Sequence, residues 1–191
     1  MKIIGVVGWK DTGKTTLIEK LIKEFNLRNL TVSTIKHSHH NVSLDRQGTD
    51  SFRHFNAGAK ETILASDTKW IKFSKTISEH DTSLDYLIKQ IIPVDIVIVE
   101  GFKVSGHRKV EVVNNSSQRK PLYETDKTIC GLIFNQHKIE NTVLPQFERD
   151  IAGLTTGEQA GIAEAQRVAG IDPATGQRTC LLYTSPSPRD P

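Results

Sequence analysis

The stretch GWKDTGKTT, residues 8–16, decides the fold, because it satisfies the pattern G-x-x-x-x-G-K-[ST] of a phosphate-binding loop (P-loop). The residues before it, KIIGVVG at positions 2–8, are apolar and largely β-branched, and they predict a buried strand. From Thr15 onward the apolar residues follow the helical repeat and predict one buried face, formed by Leu17, Leu21, Ile22 and Phe25. A strand, a glycine loop and a helix in this order predict a nucleotide-binding site.

Each residue type in this loop has a chemical reason. Glycines at positions 8 and 13 let the backbone wrap around a polyphosphate with its N–H groups pointing at the oxygens. The helix that follows adds the positive end of its dipole. Lys14 is predicted to reach the β- and γ-phosphates, and the Thr15 hydroxyl to ligate Mg²⁺. The predicted nucleotide-binding residues of the loop are Gly8, Trp9, Lys10, Asp11, Thr12, Gly13, Lys14, Thr15 and Thr16.

A second acidic residue is needed to complete the metal shell, and DIVIVEGF, residues 95–102, supplies one. This run predicts the most strongly buried strand, with Glu100 at its carboxyl end, where α/β sheets place their ligands. A carboxylate at the end of such an apolar run is costly unless it meets a cation. We therefore assign Glu100, with Thr15, to the metal and, with Lys14, to catalysis; the alternative for Glu100 is a solvent-facing charge at the strand end. Gly101 beside it is predicted to donate its N–H to a γ-phosphate.

Polar residues at the end of the next predicted strand, LTVSTIKH, face the same site. Lys36 and His37 are placed at its carboxyl end and are predicted to contact the ligand. Asp45 and Asp50 lie where a nucleotide-sensing switch loop is expected, and we add them to the catalytic candidates. Trp9 is open to three interpretations, because it could cover the ligand, meet a partner, or be partly exposed without a function.

The histidines keep a second class of function open. The spacing of His37, His39 and His40 could bind Zn²⁺, Ni²⁺ or copper, as in a metallochaperone GTPase. A third class is an ATP-dependent small-molecule kinase, although no arginine-rich lid is evident. The guanine-reading element N-K-x-D is not matched by residues 135–138, so the residues alone do not decide between GTP and ATP. Arg53 is open to either a phosphate contact or a surface salt bridge.

The remaining pattern predicts an α/β fold of the P-loop NTPase type: a mostly parallel, twisted sheet with helices on both faces and an added β-hairpin. Its elements are a short helix in SFRHFNAGA (51–59), hairpin strands in ETILAS (61–66) and WIKFSKT (70–76), a helix in SLDYLIKQII (83–92) with Leu84, Leu87, Ile88 and Ile91 inward, and strands in KVEVVNN (109–115) and TICGLIFN (128–135).

The composition limits the class of protein, its expected partners and its expected compartment. The chain has 191 residues, 37% hydrophobic and 25% charged, with a formal charge of +3, as in an ordinary globular domain. The lysines are scattered, so no nucleic-acid partner is expected, and no apolar run is long enough for a membrane span. The start at MKIIGVVG leaves no room for a signal peptide, and the 2 cysteines form no framework, which predicts a cytoplasmic protein.

The pattern predicts a boundary near residue 154. Residues 1–154 form the nucleotide-binding domain, and 155–191 are predicted to be an atypical, disordered tail rich in Gly, Thr, Ser and Pro. Residues 180–190, CLLYTSPSPRD, match the translation of a transposase adapter used in sequencing libraries. We interpret them as an assembly artefact.

Several motifs together resemble one known family. These are GWKDTGKTT, then TIKHSHH, then LDRQGTDSFRHFNAGA with ETILAS, and VIVEGFK followed by KVEVV. Their order and spacing, from residue 2 to about 150, are similar to the MobB family, the GTP-binding adaptors of molybdopterin–guanine dinucleotide synthesis. The chain departs from the family's pattern at Asn41, Gln47 and Thr49.

The resemblance implies a function that the residues alone do not decide. It implies Mg²⁺-dependent GTP binding with slow GTPase activity, a homodimer, and molybdopterin as a bound substrate. It also implies partnership with a MobA-like guanylyltransferase, which joins GMP to molybdopterin. Carried over, residues 8–16 would hold the GTP phosphates and Glu100 the metal side. TIKHSHH and residues 45–50 would form the switch or cofactor-facing loop.

Overall fold

The computed structural model describes residues 1–38, 45–114, 119–134 and 142–148. The described part divides into two compact units. The first contains Met1–His37 and the described residues from Ile91 onward; the second contains Ser38 and residues 45–90. Residues 155–191, with the predicted tail and the suspected artefact, lie outside the described residues, as does the predicted boundary at 154.

The described elements in chain order are β1 Lys2–Val7, α1 Lys14–Leu27, β2 Val32–Lys36, α2 Asp50–Asn56, β3 Glu61–Ala65, β4 Trp70–Ser74, a 3-10 turn Glu79–Thr82, α3 Leu84–Lys89, β5 Ile96–Glu100, β6 Lys109–Val113, a 3-10 turn Leu122–Glu124, β7 Ile129–Phe134 and β8 Gln146–Glu148. No helix among the described residues is long and apolar enough to cross a membrane.

The first unit is built on a parallel sheet of 6 strands in the order β2-β5-β1-β6-β7-β8. β1 therefore has β5 on one side and β6 on the other. The chain leaves β1 in one direction and returns on the other side of it, which makes the carboxyl end of β1 a topological switch point. Ligands of open α/β sheets bind at such points.

Both faces of this sheet are buried, as expected for parallel strands. On one face, α1 packs its buried residues Leu17, Ile18, Leu21 and Phe25 against the sheet residues Ile4, Val6, Ile96, Ile98, Val110, Val112 and Ile133. The opposite face carries Val7, Val113, Ile129 and Leu132, packed with Leu122, Tyr123 and Leu144. Burial of each such side chain stabilises the fold by roughly 1.5–3 kcal/mol.

The second unit contains α2, α3 and the predicted hairpin. β3 and β4 pair antiparallel, with Glu61 opposite Ser74 and Ala65 opposite Trp70. The Phe55 ring of α2 lies 6.3 Å from the Phe73 ring of β4. A hydrogen bond from the Phe52 N–H to the Thr49 hydroxyl caps the start of α2.

The sequence-based prediction of an α/β fold with a mostly parallel sheet and an added hairpin is confirmed. Four details differ. The predicted helix 83–92 ends at Lys89, because Pro93 disfavours helical backbone at Ile92, and Ile92 is exposed. The 3-10 turns at Glu79–Thr82 and Leu122–Glu124 and the 3-residue β8 were not predicted, because each is too short to carry a periodic pattern.

Candidate functional site

The predicted site residues of the first unit converge at one edge of the sheet. Val6 of β1 and Lys36 of β2 both lie in register with Glu100 of β5. The loop 8–13 leaves β1 directly beyond this row, and α1 begins at Lys14. The carboxyl ends of three adjacent strands therefore bring the P-loop, Glu100 and Lys36 together, as predicted from the sequence.

The loop has the backbone that its glycines allow. Gly8, Asp11 and Gly13 have φ values of 147°, 61° and 89°. A Cβ atom on Gly8 would lie 2.5 Å from the Val112 carbonyl oxygen and 2.9 Å from the Thr12 hydroxyl, so only glycine fits there. Gly13 caps α1 in a left-handed conformation. The chain thus turns sharply from β1 into the N-terminus of α1, as anion binding requires.

The Trp9 carbonyl is a local acceptor within this loop. The Thr12 hydroxyl donates to it at 3.0 Å, and Lys14 Nζ donates to it at 2.5 Å. The pKa of Lys14 is lowered, mainly by burial. The negative charges of Glu100 and Asp11 oppose this change, and the positive charges of Lys103 and Lys36 add to it. An anion beside Lys14 would offset this desolvation. Lys10, Thr15 and Thr16 are exposed around the start of α1.

Glu100 has a cation at this edge of the sheet. Lys36 Nζ lies 3.3 Å from its carboxylate, and the Glu100 side chain is mostly buried whereas Lys36 is largely exposed. The cost of a carboxylate at the end of an apolar strand is therefore reduced by Lys36. The solvent-facing alternative for Glu100 does not describe this arrangement. Its role at a metal stays a prediction.

The residues after Glu100 turn back with an unusual backbone. Gly101 and Phe102 have φ values of 91° and 49°. The Gly101 N–H donates to the Val6 carbonyl at 3.2 Å, and its donation to a γ-phosphate stays a prediction. The Phe102 ring packs 4.8 Å from the ring of His37. Strained backbone of this kind is concentrated at functional sites.

Asp45 and Asp50 belong to the second unit. The Asp45 carboxylate accepts from the Ser51 hydroxyl at 2.7 Å and the Arg46 N–H at 2.8 Å, and the Ser51 bond is the main cause of its lowered pKa. Asp50 lies 3.9 Å from Arg53, and both are exposed. Arg53 thus forms the surface ion pair rather than a described phosphate contact. The catalytic assignments of both acids stay predictions.

The histidine cluster is only partly described. His37 lies beside Phe102, whereas His39 and His40 fall outside the described residues. Within the described ranges, no group of three or more His, Cys, Asp or Glu side chains could hold a metal ion. The metallochaperone alternative gains no support from them.

Sequence reasoning missed the surroundings of the Trp9 ring. Trp9 Nε1 donates to the Lys120 carbonyl at 2.9 Å. The Lys103 ammonium lies 4.2 Å from the ring centre and the Arg119 guanidinium carbon 4.9 Å. Both are cation–π distances. The position of Lys103, shortly after Glu100, is a usable sequence signal, but Arg119 and Lys120 reach the P-loop from a segment that no motif marks.

Known proteins share this arrangement of sequence and fold. A sequence profile of the family described as molybdopterin guanine dinucleotide synthesis protein B (MobB) matches residues 3–135. The molybdopterin-guanine dinucleotide biosynthesis adapter protein of Haemophilus influenzae is 40% identical over 145 residues, which cover 74% of this chain and 80% of that protein. Its namesake from Escherichia coli is 29% identical over 164 residues, covering 85% of this chain and 89% of that protein.

The fold comparison agrees with the sequence comparison. The crystal structure of Bacillus subtilis MobB superposes with a TM-score of 0.68 at 24% identity, over 88% of this chain and 98% of that chain. At this identity the likeness concerns the fold alone. The profile match, however, spans well over half of the chain and includes the P-loop and Glu100. The chain therefore belongs to the molybdopterin guanine dinucleotide synthesis protein B (MobB) family.

Proposed function

We propose that this protein is a GTP-binding adaptor with slow GTPase activity that assists the conversion of molybdopterin to molybdopterin guanine dinucleotide. Its family and the names of its relatives, which are called adapter proteins of this pathway, support the proposal. The observation that carries it is the P-loop at the switch point of the sheet, with Lys14 and Glu100 at the same edge.

In this proposal the loop Gly8–Thr16 holds the phosphates. The backbone at Gly8 lies too close to the Val112 carbonyl for any side chain to fit. The binding surface therefore consists of the N–H groups of the loop and the start of α1. Lys14 exchanges the Trp9 carbonyl for phosphate oxygens, which are stronger acceptors because they are charged. Lys36 and His37 extend the cationic and polar edge of the site.

The side chains present fit a magnesium ion. Thr15 offers a hydroxyl and Glu100 a carboxylate, and hard oxygen ligands of this kind suit Mg²⁺. When bound, the ion would neutralise charge on the phosphate oxygens. Lys36 Nζ lies 3.3 Å from the Glu100 carboxylate and is the described cation beside it. Slow hydrolysis is expected of the isolated chain, because GTPases that receive a stabilising arginine from a partner turn over slowly alone.

We propose two protein partners. One is a MobA-like guanylyltransferase, with molybdopterin as the shared substrate. The other is a second copy of this chain, for which the hairpin offers a surface. Ile63 and Trp70 there are 61% and 60% exposed, and Leu64 and Ile71 are also exposed. Ile63 and Trp70 lie on one face of the hairpin, and Leu64 and Ile71 lie on the other. Large exposed apolar side chains are typical of interaction sites.

Calorimetric titration of the full chain tests the nucleotide assignment. GTP and ATP would each be titrated with and without Mg²⁺. We expect Mg²⁺-dependent binding of GTP well above ATP. A preference for ATP would contradict the adaptor proposal and favour the kinase alternative. A guanylyltransferase reaction with and without this chain would then test the partnership, with more molybdopterin guanine dinucleotide expected when the chain is present.

A further inference from the structure

Strand β6 carries two charged side chains that are fully buried. Lys109 is 0% exposed and Glu111 is 1% exposed, and both lie on the face of the sheet opposite α1. A buried charge is costly unless polar partners replace its water. Lys109 Nζ donates hydrogen bonds to the Ser105 carbonyl, the Asp126 carboxylate and the Thr128 hydroxyl. The Glu111 carboxylate instead accepts hydrogen bonds from backbone N–H groups, which indicates that it holds a backbone segment in place.

The Glu111 carboxylate holds the start of the 3-10 turn Leu122–Glu124. One oxygen accepts the Leu122 N–H at 2.8 Å and the other accepts the Tyr123 N–H at 2.8 Å. These are the unpaired donors at the beginning of the turn. Glu111 lies in the middle of β6, which pairs with both β1 and β7, so the acceptor is rigid. The turn is therefore fixed to the centre of the sheet.

The same turn is linked to the P-loop by a very short path. Only Pro121 separates Leu122 from Lys120, and its ring restricts φ. The Lys120 carbonyl accepts from Trp9 Nε1, and Arg119 lies over the Trp9 ring. The position of the Trp9 ring is thus set by the segment that Glu111 holds.

Trp9 in turn sets an acceptor within the loop. Its carbonyl accepts from both Thr12 and Lys14. A shift of Trp9 would move the carbonyl, the Thr12 hydroxyl bound to it, and the position from which Lys14 turns to the phosphate. We propose that Glu111 is a positioning residue of the nucleotide site, acting through the 119–124 segment on Trp9 and thereby on the P-loop. Its effect on nucleotide affinity rests on the proposed function; its effect on Trp9 does not.

Tryptophan fluorescence tests the first step directly. The chain has 2 tryptophans, and Trp70 belongs to the second unit, so Trp70→Phe leaves Trp9 as the only emitter. In this background, Glu111→Gln replaces one acceptor by an amide that cannot accept an N–H. We expect Trp9 emission to shift to longer wavelength and acrylamide to quench it more strongly. Unchanged emission and quenching would overturn the inference, whether or not the chain binds GTP.

The nucleotide titration tests the second step. We expect the Kd for GTP to rise about five- to tenfold in Glu111→Gln, which is less than the full cost of one lost hydrogen bond to a charged group, because the change reaches the nucleotide site only through Trp9. Ile96→Val is the control, because it weakens the core at the opposite end of the sheet. An equal loss of affinity in the control would contradict positioning and leave only general stability. If the wild type binds no GTP, the proposed function fails, and the fluorescence result still decides this inference.

A double-mutant cycle separates positioning from independent effects. If Glu111 acts through Trp9, the losses of GTP affinity in Trp9→Phe and Glu111→Gln should be clearly less than additive when combined. Additive losses would overturn the proposed path. Should Glu111→Gln fail to fold, Pro121→Gly provides the second variant, because it loosens the link without altering a buried charge. It should give the same change in Trp9 emission, and no change there would equally overturn the inference.

Discussion

The strands of the two units use similar residues in different ways. Ile96, Val97, Ile98 and Val99 of β5 are all 0% exposed, and Ile96 and Ile98 belong to the core that packs against α1. In the hairpin, the equally apolar Ile63 and Trp70 remain exposed. β5 therefore buries its apolar side chains and holds Glu100 of the candidate site at its carboxyl end. The hairpin strands leave large apolar side chains exposed, which is typical of an interaction surface.

The largest predicted effect concerns GTP affinity, because we assign the nucleotide site to residues of the first unit. Lys14→Ala should raise the Kd for GTP by about a hundredfold or more, because each charge-assisted hydrogen bond is worth roughly 1.5–3 kcal/mol. The oligomeric state should not change, since Lys14 does not belong to the hairpin unit. Calorimetry and light scattering on the same samples measure both quantities.

Lys23→Ala is the matched control for this variant. It removes the same charge from the exposed side of the same helix. GTP affinity should be nearly unchanged in the control. Unchanged affinity in Lys14→Ala would remove the P-loop lysine from the proposed site.

The second prediction concerns the hairpin alone. Ile63→Glu should weaken a homodimer by about 2 kcal/mol, because the new carboxylate would have to lose its water to enter an apolar contact. The hairpin itself should persist, since Ile63 lies opposite Lys72 and the new carboxylate can pair with it. Sedimentation should then show a monomer that still binds GTP.

A charge change elsewhere on the hairpin controls for electrostatics. Lys60→Glu alters an exposed residue that is not apolar. It should leave the oligomeric state unchanged. A monomeric wild type, or a dimer that tolerates Ile63→Glu, would show that the exposed apolar residues serve another contact.

The same division explains what could be predicted from the sequence. The P-loop, β1 and β5 follow from local patterns, because a parallel strand buried on both faces has a continuous apolar sequence. The hairpin also followed, from two short β-rich runs. Its exposure did not, because propensity for strand does not report what covers the side chains. The contact of Glu111 with the 3-10 turn was missed, because its partners lie 11 and 12 residues away and the sequence of KVEVV alone assigns its Glu no role.

A third prediction uses a buried group of the first unit. No described residue hydrogen-bonds the ring nitrogens of His107, which lies where a side chain at Gly5 would clash. Burial lowers the pKa of His107 to about 4 from an ordinary 6.5, Lys109 adds to this, and Asp126 opposes it. As pH falls, His107 is therefore protonated at a higher pH in the unfolded chain than in the folded chain. The resulting stability is present above pH 6.5 and is lost as pH falls toward 4.

Unfolding of the first unit, followed by Trp9 emission in Trp70→Phe, measures this loss. We expect roughly 2 kcal/mol to disappear between these pH values after allowance for partial solvent screening. His107→Leu should remove that part of the slope. An identical pH slope in the leucine variant would show that other groups cause the acid sensitivity.

The smallest predicted effect concerns the metal at the nucleotide site. Glu100→Gln should still bind GTP, but the gain in affinity on adding Mg²⁺ should fall about tenfold, close to 1.4 kcal/mol. Lys36→Met is the informative comparison, because it removes the ion-pair partner and keeps the carboxylate. If Glu100 acts on the metal, Lys36→Met can weaken GTP binding but should preserve the Mg²⁺ gain. If Glu100 serves only to hold Lys36, the two variants should behave alike, and the metal assignment of Glu100 would be wrong.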